Sequence, residues 1–154
     1  MSTENHDWTW RVFDKLSNTE LYQILRLRQQ VFVVEQSCCY EDIDNWDQTA
    51  IHLMAHSADD QLLAYCRVFA PGVRFEQTSI GRVLTATDAR HLKLGHELLR
   101  RSVSYCEEYF PDTTIRIDAQ AHLQKFYGRY GFKVVGEEHM VDDIPHVTML
   151  RETL

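Results

Sequence analysis

Long apolar runs and secretion signals are both missing from this sequence. No stretch of its 154 residues approaches the ~20 consecutive apolar residues that a membrane-spanning helix needs. The opening residues, MSTENHDWTW, have neither the basic start nor the apolar segment of a secretory signal. We therefore expect a cytoplasmic protein that does not interact with membranes. Its length predicts one domain over residues 1–154.

Basic residues are also scarce. The chain has 16 Lys and Arg against 23 Asp and Glu, which gives a net charge of −7. Its basic residues nowhere cluster beyond pairs such as Arg100-Arg101. A nucleic-acid-binding surface needs concentrated positive charge, so we expect no nucleic-acid partner. The acidic balance favours solubility and, more weakly, a cationic partner.

The four cysteines fit neither a zinc site nor a disulfide scaffold. Cys38 and Cys39 are adjacent rather than separated by two residues, and we predict no metal site. Cys66 and Cys106 lie among apolar residues, which predicts two reduced thiols in the core. One of the adjacent pair is a candidate nucleophile, although no sequence signature supports that role.

Hydrophobic periodicity predicts three helices. Ser17 and Glu20 have the spacing of a capping box, and the first helix is predicted over residues 18–32. A long amphipathic helix follows Gly95 and ends before Pro111. The apolar face of that helix consists of Leu94, Leu98, Leu99, Val103 and Cys106. The third helix is predicted over residues 121–130.

Seven strands are predicted from alternation and β-branched composition. They cover residues 8–14, 51–57, 62–69, 78–85, 114–117, 132–135 and 146–150. Gly81 lies inside the fourth strand, where a glycine often marks a bulge. The acidic segment over residues 41–47 is predicted to be a loop; a solvated surface loop is favoured over one that attracts a cationic acceptor. Together the elements indicate an α/β or α+β domain around one mixed sheet.

The strand, loop and helix over residues 78–109 form the first candidate binding site. A helix N-terminus offers free backbone N–H groups and the positive end of the helix dipole, so it binds phosphate readily. Arg90 and Lys93 add positive charge there, and Gly95 admits the close approach of a ligand. Many helices begin in this way, so the segment alone does not identify a ligand.

The second informative segment, residues 120–132, has an aromatic pair on a helix that is followed by a Gly-Phe turn. Phe126 and Tyr127 are neighbours and project about 100° apart on a helix, so Tyr127 points away from the packed face of Phe126. Gly131 lies at the C-terminal position that glycine favours, and Phe132 begins a strand.

In this order and spacing, the two segments resemble the GNAT superfamily of N-acetyltransferases. The family's pyrophosphate loop, Arg/Gln-x-x-Gly-x-Gly/Ala, is matched at Arg90 and Gly95, whereas Lys93 stands where the family usually has glycine. Its second signature, aromatic-Tyr-x-x-x-Gly-Phe, is matched over residues 126–132. Four further runs resemble the ElaA-like group of this superfamily: residues 27–36, 80–83, 119–124 and 144–146.

The resemblance implies a mixed, mostly antiparallel sheet of about seven strands, splayed in the middle, with acetyl-CoA in the cleft. It implies that Tyr127 is the general acid that protonates the departing CoA thiolate; the alternative is a packed aromatic with a satisfied hydroxyl. The implied cofactor contacts are Val83, Leu84, Thr85, Arg90, His91, Lys93, Leu94, Gly95, His96 and Gln120. The implied acceptor is a small-molecule or peptide amine, and a homodimer would be unsurprising for this fold.

The residues that deprotonate or position the amine have weaker sequence signals. The candidates are Glu35, Glu41, Asp42, His52 and His122. For the two histidines, half-buried imidazoles whose hydrogen bonds are satisfied are the favoured interpretation. Arg82 is expected to face the acceptor cleft or to pair with a carboxylate such as Glu35. We select Glu35, Arg82 and His122 as the acceptor-site residues.

Three functions are compatible with these features. An acetyl-CoA-dependent amine acetyltransferase is the leading hypothesis. A non-catalytic acyl-CoA-binding or sensing module on the same fold is the alternative, and a structural or interaction protein without CoA contact is the third. Acetyl transfer separates the first from the second, and thermal stabilisation by CoA separates the second from the third.

Overall fold

Within residues 6–152 the fold is built from seven strands and three α-helices, joined by short 3-10 and π-helical segments. The computed structural model describes residues 6–152. The strands are β1 (Asp7–Val12), β2 (Ile51–His56), β3 (Leu62–Phe69), β4 (Thr78–Thr85), β5 (Ile115–Gln120), β6 (Lys133–Val141) and β7 (Ile144–Arg151). The α-helices are α1 (Asn18–Arg28), α2 (Leu94–Tyr109) and α3 (Gln124–Gly128). Within residues 6–152, no helix combines the length and apolar character needed to cross a membrane.

One sheet contains all seven strands in the order β1-β2-β3-β4-β5-β7-β6. Neighbouring strands are antiparallel except for β4 and β5, which are parallel. These two strands pair only through Thr78 with Ile115 and Ser79 with Arg116, and they separate beyond that point. The predicted mixed, mostly antiparallel sheet with a splay in its middle is therefore confirmed.

Helices α1 and α2 pack against β3, and α2 also packs against β4. The predicted capping box begins α1: the Ser17 hydroxyl accepts from the Glu20 N–H, and the Glu20 carboxylate accepts from the Ser17 N–H. The apolar positions predicted for α2 are all buried, namely Leu94, Leu98, Leu99, Val103 and Cys106. Cys66 and Cys106 are core thiols, as predicted.

Two helices differ from their predicted extents. Helix α1 ends at Arg28 and continues as a π-helix over Gln29–Glu35. Residues 31–34 are Val-Phe-Val-Val, whose β-branched and aromatic side chains crowd the preceding turn of an α-helix. The helix predicted over residues 121–130 has only five α-helical residues, because Ala121–Leu123 is a 3-10 turn and residues 129–131 form a turn that finishes at Gly131 with φ 88°.

Strands β6 and β7 form a longer hairpin than predicted. The prediction ended the first of them at residue 135, whereas β6 continues to Val141. Asp142 and Asp143 form the two-residue turn with φ of 48° and 62°, the positive values of a type I′ turn. Asp-Asp lacks the glycine typical of that turn, so its sequence signal is weak. Strand β1 is shorter than predicted, because Phe13–Lys15 is a 3-10 turn.

Candidate active site

A cavity of about 700 Å³ opens where β4 and β5 separate. Its walls come from the π-helical segment, the end of β4, β5, the start of α3 and the β6–β7 hairpin. The predicted site residues that line it are Glu35, Arg82, Val83, Leu84, Thr85, Arg90, Gly95, Gln120, His122 and Tyr127. Both sequence segments therefore contribute to one cleft.

A β-bulge shapes the β4 side of this cleft. Tyr65 of β3 faces Leu84, whereas Arg67 faces Gly81, so β4 has one more residue than β3 over this stretch. Arg82 takes up the extra length in the left-handed conformation, at φ 50°. The irregularity predicted at Gly81 is confirmed, and the backbone of residues 82–83 has no residue partner in β3.

The N-terminus of α2 has no side-chain cap. Lys93 precedes the helix at φ 56° and ψ 35°, in the left-handed region that glycine adopts at little cost. Lys93 thus has the backbone conformation that favours glycine, although it is a lysine. The backbone N–H groups in the first turn of this 16-residue helix therefore lack a side-chain partner at the cap, and a helix end of this kind favours a negatively charged ligand.

Four of the predicted cofactor contacts around the start of α2 do not line the cleft: His91, Lys93, Leu94 and His96. Leu94 is 5% exposed and packs in the core, so any contact from it to a ligand would use its backbone. His91, Lys93 and His96 are exposed and lie outside the cavity lining. The Nδ1 atom of His96 is 2.7 Å from the Tyr130 hydroxyl. Cofactor contacts from these residues stay predictions.

A bidentate ion pair joins Glu35 and Arg90 at the cleft. Arg90 donates to both carboxylate oxygens of Glu35, one of them at 2.8 Å, and the Thr87 hydroxyl donates at 3.0 Å. Hydrogen bonding from Arg90 lowers the pKa of Glu35. A carboxylate held ionised in this way is a weak base, which disfavours Glu35 as the group that deprotonates an amine. Arg82 lines the cavity and pairs with carboxylates, as expected, but its partners are Asp42 and Asp44 rather than Glu35.

The acidic segment over residues 41–47 folds inward onto buried cations. Three arginines and three aspartates form an arginine–aspartate network: Arg28, Arg67, Arg82, Asp42, Asp44 and Asp47. Each aspartate bridges two arginines; Asp47 Oδ1 accepts from Arg28 at 2.6 Å and from Arg67 at 2.8 Å. Burial alone would raise the pKa of Asp44, but hydrogen bonding from Arg67 outweighs burial and holds that pKa far below its usual range. The prediction of a solvated loop is wrong, because buried arginines supply its counter-charge.

Two of the predicted bases, Asp42 and His52, are already engaged by other groups of the protein. The Asp42 carboxylate accepts hydrogen bonds from Arg28 and Arg82, both at 2.9 Å. His52 is fully buried, with Nδ1 2.6 Å from the Tyr65 hydroxyl and Nε2 2.9 Å from the Asp47 carbonyl oxygen. Burial lowers the pKa of His52. It is a satisfied core imidazole, the alternative raised from the sequence, and Glu41 is exposed outside the cavity lining.

Tyr127 is 5% exposed and lines the cavity. Its ring meets Phe126 and Phe132 edge to face, with centroids 5.1 Å and 6.2 Å away. Burial raises the pKa of Tyr127, so the phenol stays protonated at neutral pH. Within residues 6–152 no hydrogen bond engages its hydroxyl, in contrast to Tyr130, whose hydroxyl pairs with His96. The alternative of a satisfied hydroxyl is therefore not supported.

His146 is a candidate base that the sequence analysis missed. Its Nδ1 atom is 2.7 Å from the Ile144 carbonyl oxygen, and a carbonyl only accepts, so Nδ1 carries a proton. In the neutral ring Nε2 is then an acceptor. His146 is half-buried and lines the cavity, as does Tyr127. The sequence feature that could have identified His146 is its place in the run over residues 144–146, which resembles the ElaA-like group.

Two other candidates line the cavity. His122 is exposed and keeps its predicted place beside the cleft. The Cys38 thiol donates to the Asp142 carbonyl oxygen at 3.2 Å. Desolvation, followed by the negative charge of Asp142, raises the pKa of Cys38, which disfavours it as a nucleophile.

Residues 16–153 match the family described as "Acetyltransferase (GNAT) domain". The Escherichia coli protein ElaA is 39% identical over 150 residues, which cover 96% of this chain and 97% of ElaA. The crystal structure of E. coli ElaA superposes with a TM-score of 0.89, covering 96% of this chain and all of that one. An acyl-CoA N-acyltransferase from Pseudomonas aeruginosa superposes with a TM-score of 0.91 at 45% identity, covering 96% and 99% of the two chains.

Proposed function

This chain belongs to the GNAT acetyltransferase family, and we propose that it transfers an acetyl group from acetyl-CoA to the amine of an acceptor. The observation that carries the proposal is the splayed cleft. One cavity is lined both by Gly95 at the N-terminus of α2 and by the buried phenol of Tyr127 on α3. An anion-binding helix end and a proton donor on one cavity suit a phosphate-bearing thioester.

Acetyl-CoA would bind with its phosphates near the uncapped N-terminus of α2. Lys93 precedes that helix and adds positive charge. Arg90 also adds positive charge, although its ion pair with Glu35 neutralises part of it. The pantetheine would enter between β4 and β5, where the bulge leaves Val83 without a partner residue in β3. A cavity of about 700 Å³ is large enough for this arm and the acetyl group.

Proton transfer in this proposal involves two side chains. His146 Nε2 accepts a proton from the ammonium group of the acceptor, and the neutral nitrogen then attacks the thioester carbonyl carbon. The Val83 N–H is the candidate donor to the oxyanion that forms. As the C–S bond breaks, the Tyr127 hydroxyl protonates the thiolate. The second proton lost by nitrogen restores Tyr127 through solvent, and His146 releases the first proton to solvent, so the products are the amide, CoA thiol and one proton.

The test measures CoA release from acetyl-CoA with a panel of primary amines, against a blank without amine that corrects for the protein's own thiols. Tyr127→Phe removes only the proton donor, and we expect kcat/KM to fall by roughly 10²- to 10⁴-fold. Tyr130→Phe is the matched control, because its hydroxyl lies outside the cavity lining and pairs with His96.

Unchanged turnover by Tyr127→Phe would refute the general-acid role. If CoA and acetyl-CoA stabilise the protein against heat but no amine is acetylated, the alternative of a non-catalytic acyl-CoA-binding module is favoured instead. If neither ligand stabilises it, the CoA site itself is refuted.

A further inference from the structure

A second cavity, of about 330 Å³, adjoins the cofactor cleft. The two cavities share Gly81 and Arg82 of the β4 bulge, Asp118 of β5 and His146 of β7. The proposed base is therefore at the junction of the two cavities. An acceptor that occupies the second cavity would have its amine near His146 and the rest of its structure against the remaining lining residues.

Arg74 is a half-buried cation in this second cavity. Its guanidinium carbon lies 5.6 Å from the ring centroids of Trp46 and Phe69 and 5.4 Å from that of Phe75. No carboxylate in the described part of the chain pairs with it, whereas every arginine of the arginine–aspartate network has such partners. Burial, followed by the charge of Arg67, lowers the pKa of Arg74. A bound anion would offset both effects.

Phe75 brings a second guanidinium to the same place. The Arg116 carbon is 3.9 Å from the Phe75 ring centroid. Its two hydrogen bonds to Asp118 are long, at 3.3 Å each, and Asp118 also accepts from the Thr148 hydroxyl at 2.9 Å. Two guanidinium groups near one ring repel each other, and Asp118, which lines the same cavity, forms a salt bridge with Arg116 but not with Arg74. A bound anion would neutralise the remaining charge. The planar, oriented N–H groups of arginine suit a carboxylate in that position.

Ser79 supplies a polar group that lacks a partner. It is 4% exposed, it lines the second cavity, and its hydroxyl has no hydrogen-bond partner within residues 6–152. The buried Ser102, by comparison, donates to the Leu98 carbonyl oxygen at 2.7 Å. An unpaired buried hydroxyl is costly, and a ligand oxygen in the cavity would satisfy it.

We propose that Arg74, Arg116 and Ser79 bind a carboxylate of the acceptor, so that the enzyme acetylates amino acids or similar amino carboxylates. This inference rests on the proposed function for the reaction, but its binding site is a separate claim. The chain has a net charge of −7, which by itself would favour polycationic amines. The unneutralised charge in the second cavity has the opposite sign, and it selects an acceptor with an anionic group beside its amine.

The test measures binding of reaction products, so it does not depend on turnover. The full chain, saturated with CoA, is titrated calorimetrically with N-acetylglycine, N-acetylleucine, N-acetylglutamate and N-acetylphenylalanine, each paired with its own carboxamide. We expect at least one carboxylate to bind on the order of tenfold to a hundredfold more tightly than its carboxamide. Arg74→Met should remove that preference, and Arg26→Met, at an exposed arginine of α1, should keep it.

Ser79→Ala distinguishes ligand binding from folding. It removes an unsatisfied buried hydroxyl, so thermal stability should hold or rise while carboxylate affinity falls. A residue with a merely structural role would not separate these two readouts.

Equal binding of carboxylates and carboxamides, or no binding of either, would overturn the inference even if another amine proves to be acetylated. The same holds if Arg74→Met leaves the preference intact. Selective binding of a carboxylate without turnover of any amine would instead refute the acetyltransferase reaction and leave the anion site standing.

Discussion

Replacing Asp47 with alanine tests whether the arginine–aspartate network holds the fold together. The Asp47 side chain is 8% exposed, and its Oδ1 accepts from two guanidinium groups, at 2.6 Å and 2.8 Å. A hydrogen bond to a charged group contributes about 1.5–3 kcal/mol, and removing one partner of a buried ion pair costs about 3–5 kcal/mol. Arg28 and Arg67 each keep one other carboxylate, so we expect a loss of about 4 kcal/mol.

The assay is urea unfolding followed by fluorescence, together with the thermal midpoint. A loss of about 4 kcal/mol corresponds to roughly 12 °C in Tm for a domain of this size. Glu97→Ala is the matched control, since Glu97 also pairs with two arginines, Arg100 and Arg101, but at the surface. We expect it to lose only a small fraction of what Asp47→Ala loses. Equal losses in the two variants would refute the claim that burial makes this network decisive.

Three further predictions concern Lys93, His146 and His52. Lys93→Gly should raise the unfolding free energy by about 1 kcal/mol, because glycine adopts φ 56° without strain. The same substitution removes a positive charge, so the KM for acetyl-CoA should rise. His146→Gln should lower kcat/KM at neutral pH, and activity should recover as the pH approaches the amine's own pKa, about 10.4 for an alkylamine; a pH-independent loss would contradict the base role. Because burial lowers the pKa of His52, the unfolded chain binds its proton first, so stability should fall as the pH drops below about 6.5. Thermal midpoints between pH 7 and pH 5 should show that slope in the native protein and a weaker one in His52→Gln.

Local signals were enough to predict much of this fold. The Ser17–Glu20 capping box and the apolar face of α2 both follow from residues close together in the chain. The splayed cleft was also predicted, but from the family resemblance. Gly81 marked a bulge correctly, although the residue that takes the positive φ is its neighbour Arg82.

Local sequence patterns could not predict contacts between residues that are distant in the chain. The acidic segment resembled a solvated loop because its counter-charges come from other elements: Arg28 on α1, Arg67 on β3 and Arg82 on β4. His146 was missed for the same reason, because its place between two cavities depends on how β5 and β7 pair.

The shared carboxylates of the arginine–aspartate network restrict how this enzyme can change its specificity over evolution. Because every aspartate there bridges two arginines, no single substitution in the network is independent of the others, and most single changes pass through a destabilised intermediate. Strand β6 of the β6–β7 hairpin lies outside that network: it is exposed along its whole length, yet His139 and Val141 reach the second cavity. New acceptor preferences should therefore arise in that hairpin, where mutations alter the pocket at little cost in stability.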